Sequence, residues 1–218
     1  MPYLDVMLHS ATSQFMRYSL LFFFLTPLLT FGQQEYEQAL IESETGAYII
    51  FTNDSNSFIL QLDTATVEPL GDGANFLVIV DSTWTLQLFS IGYQNPNNKG
   101  IDELEVQKSF LLQYMNYELN YFKNEVQMTV ENQKAGWGPV GNKHFLLWHF
   151  DTPDYPTVQK QMYLSTIVFD NFLNINVPLT NEQDFDDGMN FLKRVAGSLV
   201  LHEHPIDVEA FYKEVNGL

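Results

Sequence analysis

The chain has 218 residues and no cysteine, with 10 basic residues against 27 acidic ones for a net charge of −17; 45% of it is hydrophobic and 15% aromatic. Phosphate binding depends on clustered Lys and Arg, so this balance excludes nucleic acid as a partner and disfavours anionic lipid. The missing cysteines exclude disulfides, zinc–thiolate sites, thiol catalysis and lipid attachment through an N-terminal cysteine, while the apolar content is that of a packed globule.

Residues 16–32 read MRYSLLFFFLTPLLTFG. One base, Arg17, precedes an apolar run from Leu20 to Leu29, and small residues follow at Thr30 and Gly32. These are the three regions of a secretory signal peptide, with cleavage expected between Gly32 and Gln33. The run is about half the roughly twenty residues needed to span hydrocarbon, so removal is expected and stable membrane insertion is not. Residues 1–15 contain no Lys or Arg and carry Asp5, which suits an overextended start; Met16 followed by Arg17 is the better initiation site. Removing 1–32 takes away one acid (Asp5) and one base (Arg17), which leaves 26 acids, 9 bases and the same net charge. Residues 33–218 are the length of a single domain, expected to be exported to a periplasm or to the medium.

Gln33 to Glu44 is a polar lead with helical potential. Ala47–Thr52 (AYIIFT) and Phe58–Leu62 (FILQL) are β-branched and aromatic runs separated by the turn NDSNS, and Asn75–Val80 with Thr83–Ile91 forms a second strand pair. The loop YQNPNNKG at 93–100 places Asn95, Asn97 and Gly100 at calcium-loop spacing, but Lys99 and Val106 stand where ligands are required, and the pattern fails. From Asp102 to Val126, the apolar residues Leu104, Leu111, Met115, Leu119, Phe122 and Val126 recur on one helical face, beside a stripe of Tyr114, Tyr117 and Tyr121. Glu118 and Glu125 lie on that tyrosine side and read as surface carboxylates.

GWGPVGN at 136–142 reads as a glycine-rich turn leading into the strand Lys143–Asp151. Gln161–Phe169 and Phe172–Val177 read as a hairpin. Thr180 or Asn181 then caps a helix expected to run to Leu201, with Phe185, Met189, Leu192, Val195 and Leu199 as its buried stripe. Asp184, Asp186 and Asp187 complement its positive end, Pro205 stops it, and a short amphipathic helix over 206–215 closes the chain.

No G-x-S-x-G, H-E-x-x-H or S-x-x-K pattern is present, so no catalytic residue is assigned and the chain reads as non-enzymatic. His202 and His204, two apart on extended chain, project to one side and form the candidate metal pair, with a divalent cation as the sole cofactor the sequence suggests. His144 and His149 lie five apart on a strand and face opposite ways. Among the tryptophans, Trp148 sits in an apolar strand, and Trp137, between two glycines, is the candidate binding residue.

Paired strands, one long helix, further hairpin strands and a closing helix make an α+β chain. The expected form is one central antiparallel sheet flanked by helices, an α/β/α sandwich. The order, with KHFLLWHFD, QMYLSTIVFDNFLNINVP and DGMNFLKRVAGSL, resembles the Mog1/PsbP-like superfamily over about residues 46–201. That resemblance implies a non-catalytic module that binds another protein, here one of the cell envelope. The alternative expectation is an exported metal-dependent hydrolase using His202 and His204; a structural part in a larger surface assembly is a third.

Overall fold

Antiparallel pairing governs every strand contact in the computed structural model, which describes residues 36–63, 66–70, 76–92 and 103–218. The expected leader, residues 1–32, and the loop 93–100 lie outside these residues. Among the described residues no helix is long and apolar enough to cross a membrane.

In chain order the strands are β1 (Glu37–Ser43), β2 (Gly46–Thr52), β3 (Ser57–Leu62), β4 (Val67–Pro69), β5 (Phe76–Val80) and β6 (Trp84–Gly92). Helix α1 (Leu104–Asn124) follows. Then come β7 (Glu131–Val140), β8 (Lys143–Asp151), β9 (Lys160–Val168), β10 (Asn171–Leu179), α2 (Phe185–Gly197), β11 (Val200–His202) and α3 (Val208–Val215). The α+β class is as expected, but two sheets take the place of one: β1-β2-β3-β11 and β4-β5-β6-β10-β9-β8-β7.

Residue alternation explains how the larger sheet is covered. On β8, β9 and β10, Phe145, Met162, Leu164, Leu173, Ile175 and Val177 enter one core with Met189, Leu192 and Val195 of α2 and with strands of the small sheet. Their alternates Leu146, Trp148, Phe150, Tyr163, Ile167 and Phe172 enter another core with Leu111, Leu119 and Phe122 of α1. A period of two on the strands and 3.6 on the helices therefore sends each set to one side. Central β9 and β10 are buried almost throughout, apolar toward α2 but carrying Gln161, Ser165, Asn174 and Asn176 on the side toward α1. The outer face of the small sheet (Ile41, Ile50, Ile59) is covered by Ile206, Val208, Phe211 and Val215 around α3.

Four expectations are corrected. The polar lead is strand β1, because pairing with β2 from Glu37↔Thr52 to Ser43↔Gly46 overrides its weak helical pattern. The glycine-rich segment is mostly strand β7, and only Gly141 and Asn142 make the turn. Gly141 takes φ +57, and an added Cβ would stand 3.1 Å from the Gly197 carbonyl oxygen of α2, so glycine is needed twice over. The closing helix stops at Gly197 instead of Leu201. Ser198 ends it, since its hydroxyl accepts from the Gln61 N–H at 2.8 Å and lies 3.0 and 2.7 Å from the Gln61 and Val195 carbonyls. That latch lays residues 200–202 against β3 as β11. The same helix, α2, is capped not by Thr180 or Asn181 but by Asp184, which accepts from the N–H groups of Asp186 and Asp187, and Asp186 and Asp187 form the acidic first turn read in the sequence.

Candidate functional site

Strand β7 is an edge: among the described residues it pairs with β8 alone. Residues 131–136 are all exposed. The two-residue turn closes on Val140↔Lys143, and in such a hairpin the closing pair exchanges both ladder bonds. Pairs then alternate, so Gly138 and Gly136 bond to β8, while Pro139, Trp137 and Ala135 turn their backbone groups to the free edge. Pro139 has no N–H to give the ladder and occupies a position where none is needed. The free edge thus offers the N–H and C=O of Ala135 and Trp137. Cβ atoms added at Gly136 or Gly138 would meet nothing within 4 Å, which leaves an open trough on the α2 side of the strand.

Trp137, the candidate binding residue, stands on the opposite, α1 side. It is half-buried, stacked on His144 with ring centroids 6.2 Å apart, and Lys108 Nζ lies 5.8 Å from its ring centre. Its indole Nε1 is buried without a hydrogen-bond partner. A proline at position 135 removes an outward N–H, whereas one at 136 removes a ladder bond and strands the Leu147 carbonyl. Gly136→Pro is therefore expected to cost about 1–3 kcal/mol, and Ala135→Pro much less, in urea unfolding followed by circular dichroism.

His202 ends β11 and His204 follows in the bend beyond it, with ring centroids 5.5 Å apart and planes at 53°. His202 Nε2 is buried and unpartnered, and His204 Nδ1 lies 3.1 Å from the Pro205 carbonyl oxygen. Among the described residues no group of three or more His, Asp or Glu could hold a metal ion. His144 and His149 face opposite sides of β8 as expected. His149 meets Phe185 edge-on at 5.0 Å, and burial, followed by nearby Lys160 and Lys134, lowers its pKa. Burial alone would raise the Asp151 carboxyl, but hydrogen bonds from Lys160 and Asn132 more than offset it and hold the group low.

A second polar constellation was hidden from sequence reading. Glu118 of α1 is only 6% exposed, which corrects its reading as a surface carboxylate. It faces the sheet among Tyr114, Tyr163 and the α1 core cluster. Burial raises its pKa to about 7, and the hydrogen bond with Tyr114 offsets part of that rise. The same burial, with Glu118 close by, pushes Tyr114 and Tyr163 well above the ordinary phenol range. Tyr114 also stacks on Phe172 at 4.8 Å, so its hydroxyl turns inward and does not reach for water.

Below Glu118 two rows cross the sheet on the α1 side. One is Trp148, Tyr163, Asn176 and Gln87, and the other is Leu146, Ser165, Asn174 and Phe89. The Trp148 indole N–H donates to Ser165 Oγ at 2.9 Å, and the Ser165 hydroxyl donates to Asn174 Oδ1. Asn176 Nδ2 donates to Gln161 Oε1 at 3.1 Å and to the Met162 carbonyl at 3.0 Å. Asn174 Nδ2 and Gln87 Nε2 are buried with no partner. Lone Asn and Gln residues inside strands carry no signal of this in sequence; the register alone brings them together.

No family model and no curated protein matches the chain. Among solved structures it is similar to the solution structure of cyanobacterial PsbP (CyanoP) from Synechocystis sp. PCC 6803. Identity is 11%, the match covers 81% of this chain and 98% of that chain, and the TM-score is 0.40.

Proposed function

We propose that the protein is an exported, non-catalytic binding module of the cell envelope that docks an extended segment of another protein along β7. The observation that carries this reading is the free edge at Ala135 and Trp137, flanked by open space at Gly136 and Gly138. An added strand would pair with the outward N–H and C=O groups and lay its alternate side chains over the glycines. Lys134 and Pro139 restrain indiscriminate pairing at the same edge. Charge decides against a second copy as the occupant, because two chains of net charge −17 repel. The partner is accordingly a basic extended segment, favoured in encounter by the field of the whole protein.

In this reading residues 1–32 are the export leader, and the mature chain works in the periplasm or outside the cell. Helix α1, the seven-stranded sheet and α2 make the α/β/α layering that holds β7 at a rim. Among the described residues the hydrolase alternative has only the two imidazoles of His202 and His204 to draw on, short of the three protein ligands that a catalytic zinc site uses. The test is co-sedimentation of purified protein with isolated envelopes. Wild type is expected to sediment and Ala135→Pro, folded by circular dichroism, to remain in the supernatant. Equal sedimentation of both would overturn docking at this edge.

A further inference from the structure

Helix α1 is seated by few side chains. Of its 21 residues only Leu111, Glu118, Leu119 and Phe122 are buried, whereas the 13 residues of α2 bury six. Its first turn has no side-chain cap, while Asp184 caps α2. Segments with few buried apolar side chains open at lower free energy than the fold as a whole. One of the four side chains that seat α1 is a carboxyl, held against the sheet at 6% exposure.

The groups around that carboxyl decide what ionisation does. On α1 its titratable neighbours are Tyr114, which hydrogen-bonds it, and Tyr117 and Tyr121, with Glu125 beyond Tyr121. From β9 comes Tyr163, and the loop after β8 adds Tyr155 to the same cluster. β8 and β10 bring only the apolar Leu146, Trp148, Phe150 and Phe172 to it. The basic groups of α1 and of this sheet face are engaged elsewhere among the described residues: Lys108 with Glu105 and Trp137, His144 with Trp137, and Lys123 with Gln133. A phenol can donate to a carboxylate but carries no counter-charge, so water alone relieves an ionised Glu118.

We propose that α1 is a pH-gated flap: loss of the Glu118 proton lifts the helix from the β8–β10 face while the rest of the fold stays intact. The closed form keeps the proton, at a pKa of about 7, and the open form releases it at the ordinary 4.5. Opening therefore grows with pH across that interval and levels off above it. Lifting uncovers the aromatic side chains of Trp148, Phe150 and Tyr163. The device is separate from the β7 edge and does not depend on docking there.

Because the chain has no cysteine, an introduced thiol reports one position alone. Ile167→Cys places it under α1, opposite Phe172, on which Tyr114 stacks. Val177→Cys places it in the core on the α2 side. Labelling rates, divided by those of the same urea-unfolded chain at the same pH, give opening constants. At position 167 the constant is expected to rise about tenfold from pH 6 to pH 8. It should also stay at least about tenfold above the unfolding constant that urea titration gives for the same variant. At position 177 the opening and unfolding constants should coincide. Glu118→Gln added to Ile167→Cys is expected to abolish the rise. The proposal is overturned if the thiol at 167 opens no more often than its own chain unfolds. A pH-independent opening at 167, or a rise that survives Glu118→Gln, would overturn it equally.

Discussion

Glu118→Gln is expected to stabilise the protein by about 3 kcal/mol at pH 8 and to change it little at pH 4. In the folded chain burial raises this carboxyl to about 7, against 4.5 in its ordinary state. Every tenfold change in proton affinity corresponds to about 1.4 kcal/mol between the two protonation states. The sign follows from which state holds the proton. Between about pH 4.5 and 7 the folded chain keeps it and the unfolded chain has released it, so stability falls as pH rises across that window and levels off above it. Glutamine keeps the size and an oxygen for the Tyr114 hydroxyl while removing the ionisation. Urea titrations of both proteins at a series of pH values should give curves that converge in acid and separate toward neutrality. Parallel curves would contradict the burial of this side chain.

Trp148→Ala is expected to cost about 4 kcal/mol, in the range for a fully buried aromatic. Its ring stacks on Tyr163 with centroids 3.9 Å apart and on Phe150 at 6.1 Å, and its N–H starts the chain of hydrogen bonds to Asn174. Truncation therefore leaves a cavity and withdraws the donor to Ser165 together. The loss should appear as a lower midpoint in urea, read by circular dichroism. A loss below about 1 kcal/mol would mean that the site collapses without penalty, against the close packing of protein interiors.

Much of the fold was legible because it depends on local pattern. The strands at 46–52, 57–62, 84–92, 143–151 and 160–179 were carried by β-branched and aromatic runs, and α1 by its apolar period. What failed depended on distant partners. The lead became β1 only because β2 offers it a ladder, and α2 was cut short by Ser198 meeting Gln61 from 137 positions away. The edge proposed for docking was half legible. A tryptophan between glycines drew attention to 136–138, but the glycines suggested a turn, whereas they line an open strand edge. His202 and His204 are neighbours across the bend that ends β11, a geometry different from the extended chain that their spacing suggested. Glu118 was read as a surface acid because helical position tells which face a side chain takes and not how deep that face lies. Gln87 and Asn174 come to one face of adjacent strands only through the register of β6 on β10.

The central claim, docking of an extended basic segment on β7, is tested most directly by a photoreactive side chain placed at Gly136, where added atoms meet open space, and activated in intact cells. The predicted result is one discrete adduct joined through a basic extended segment of a second protein, lost when Ala135→Pro is added to the same chain. Contradiction would be no adduct from position 136, or an adduct whose yield Ala135→Pro leaves unchanged.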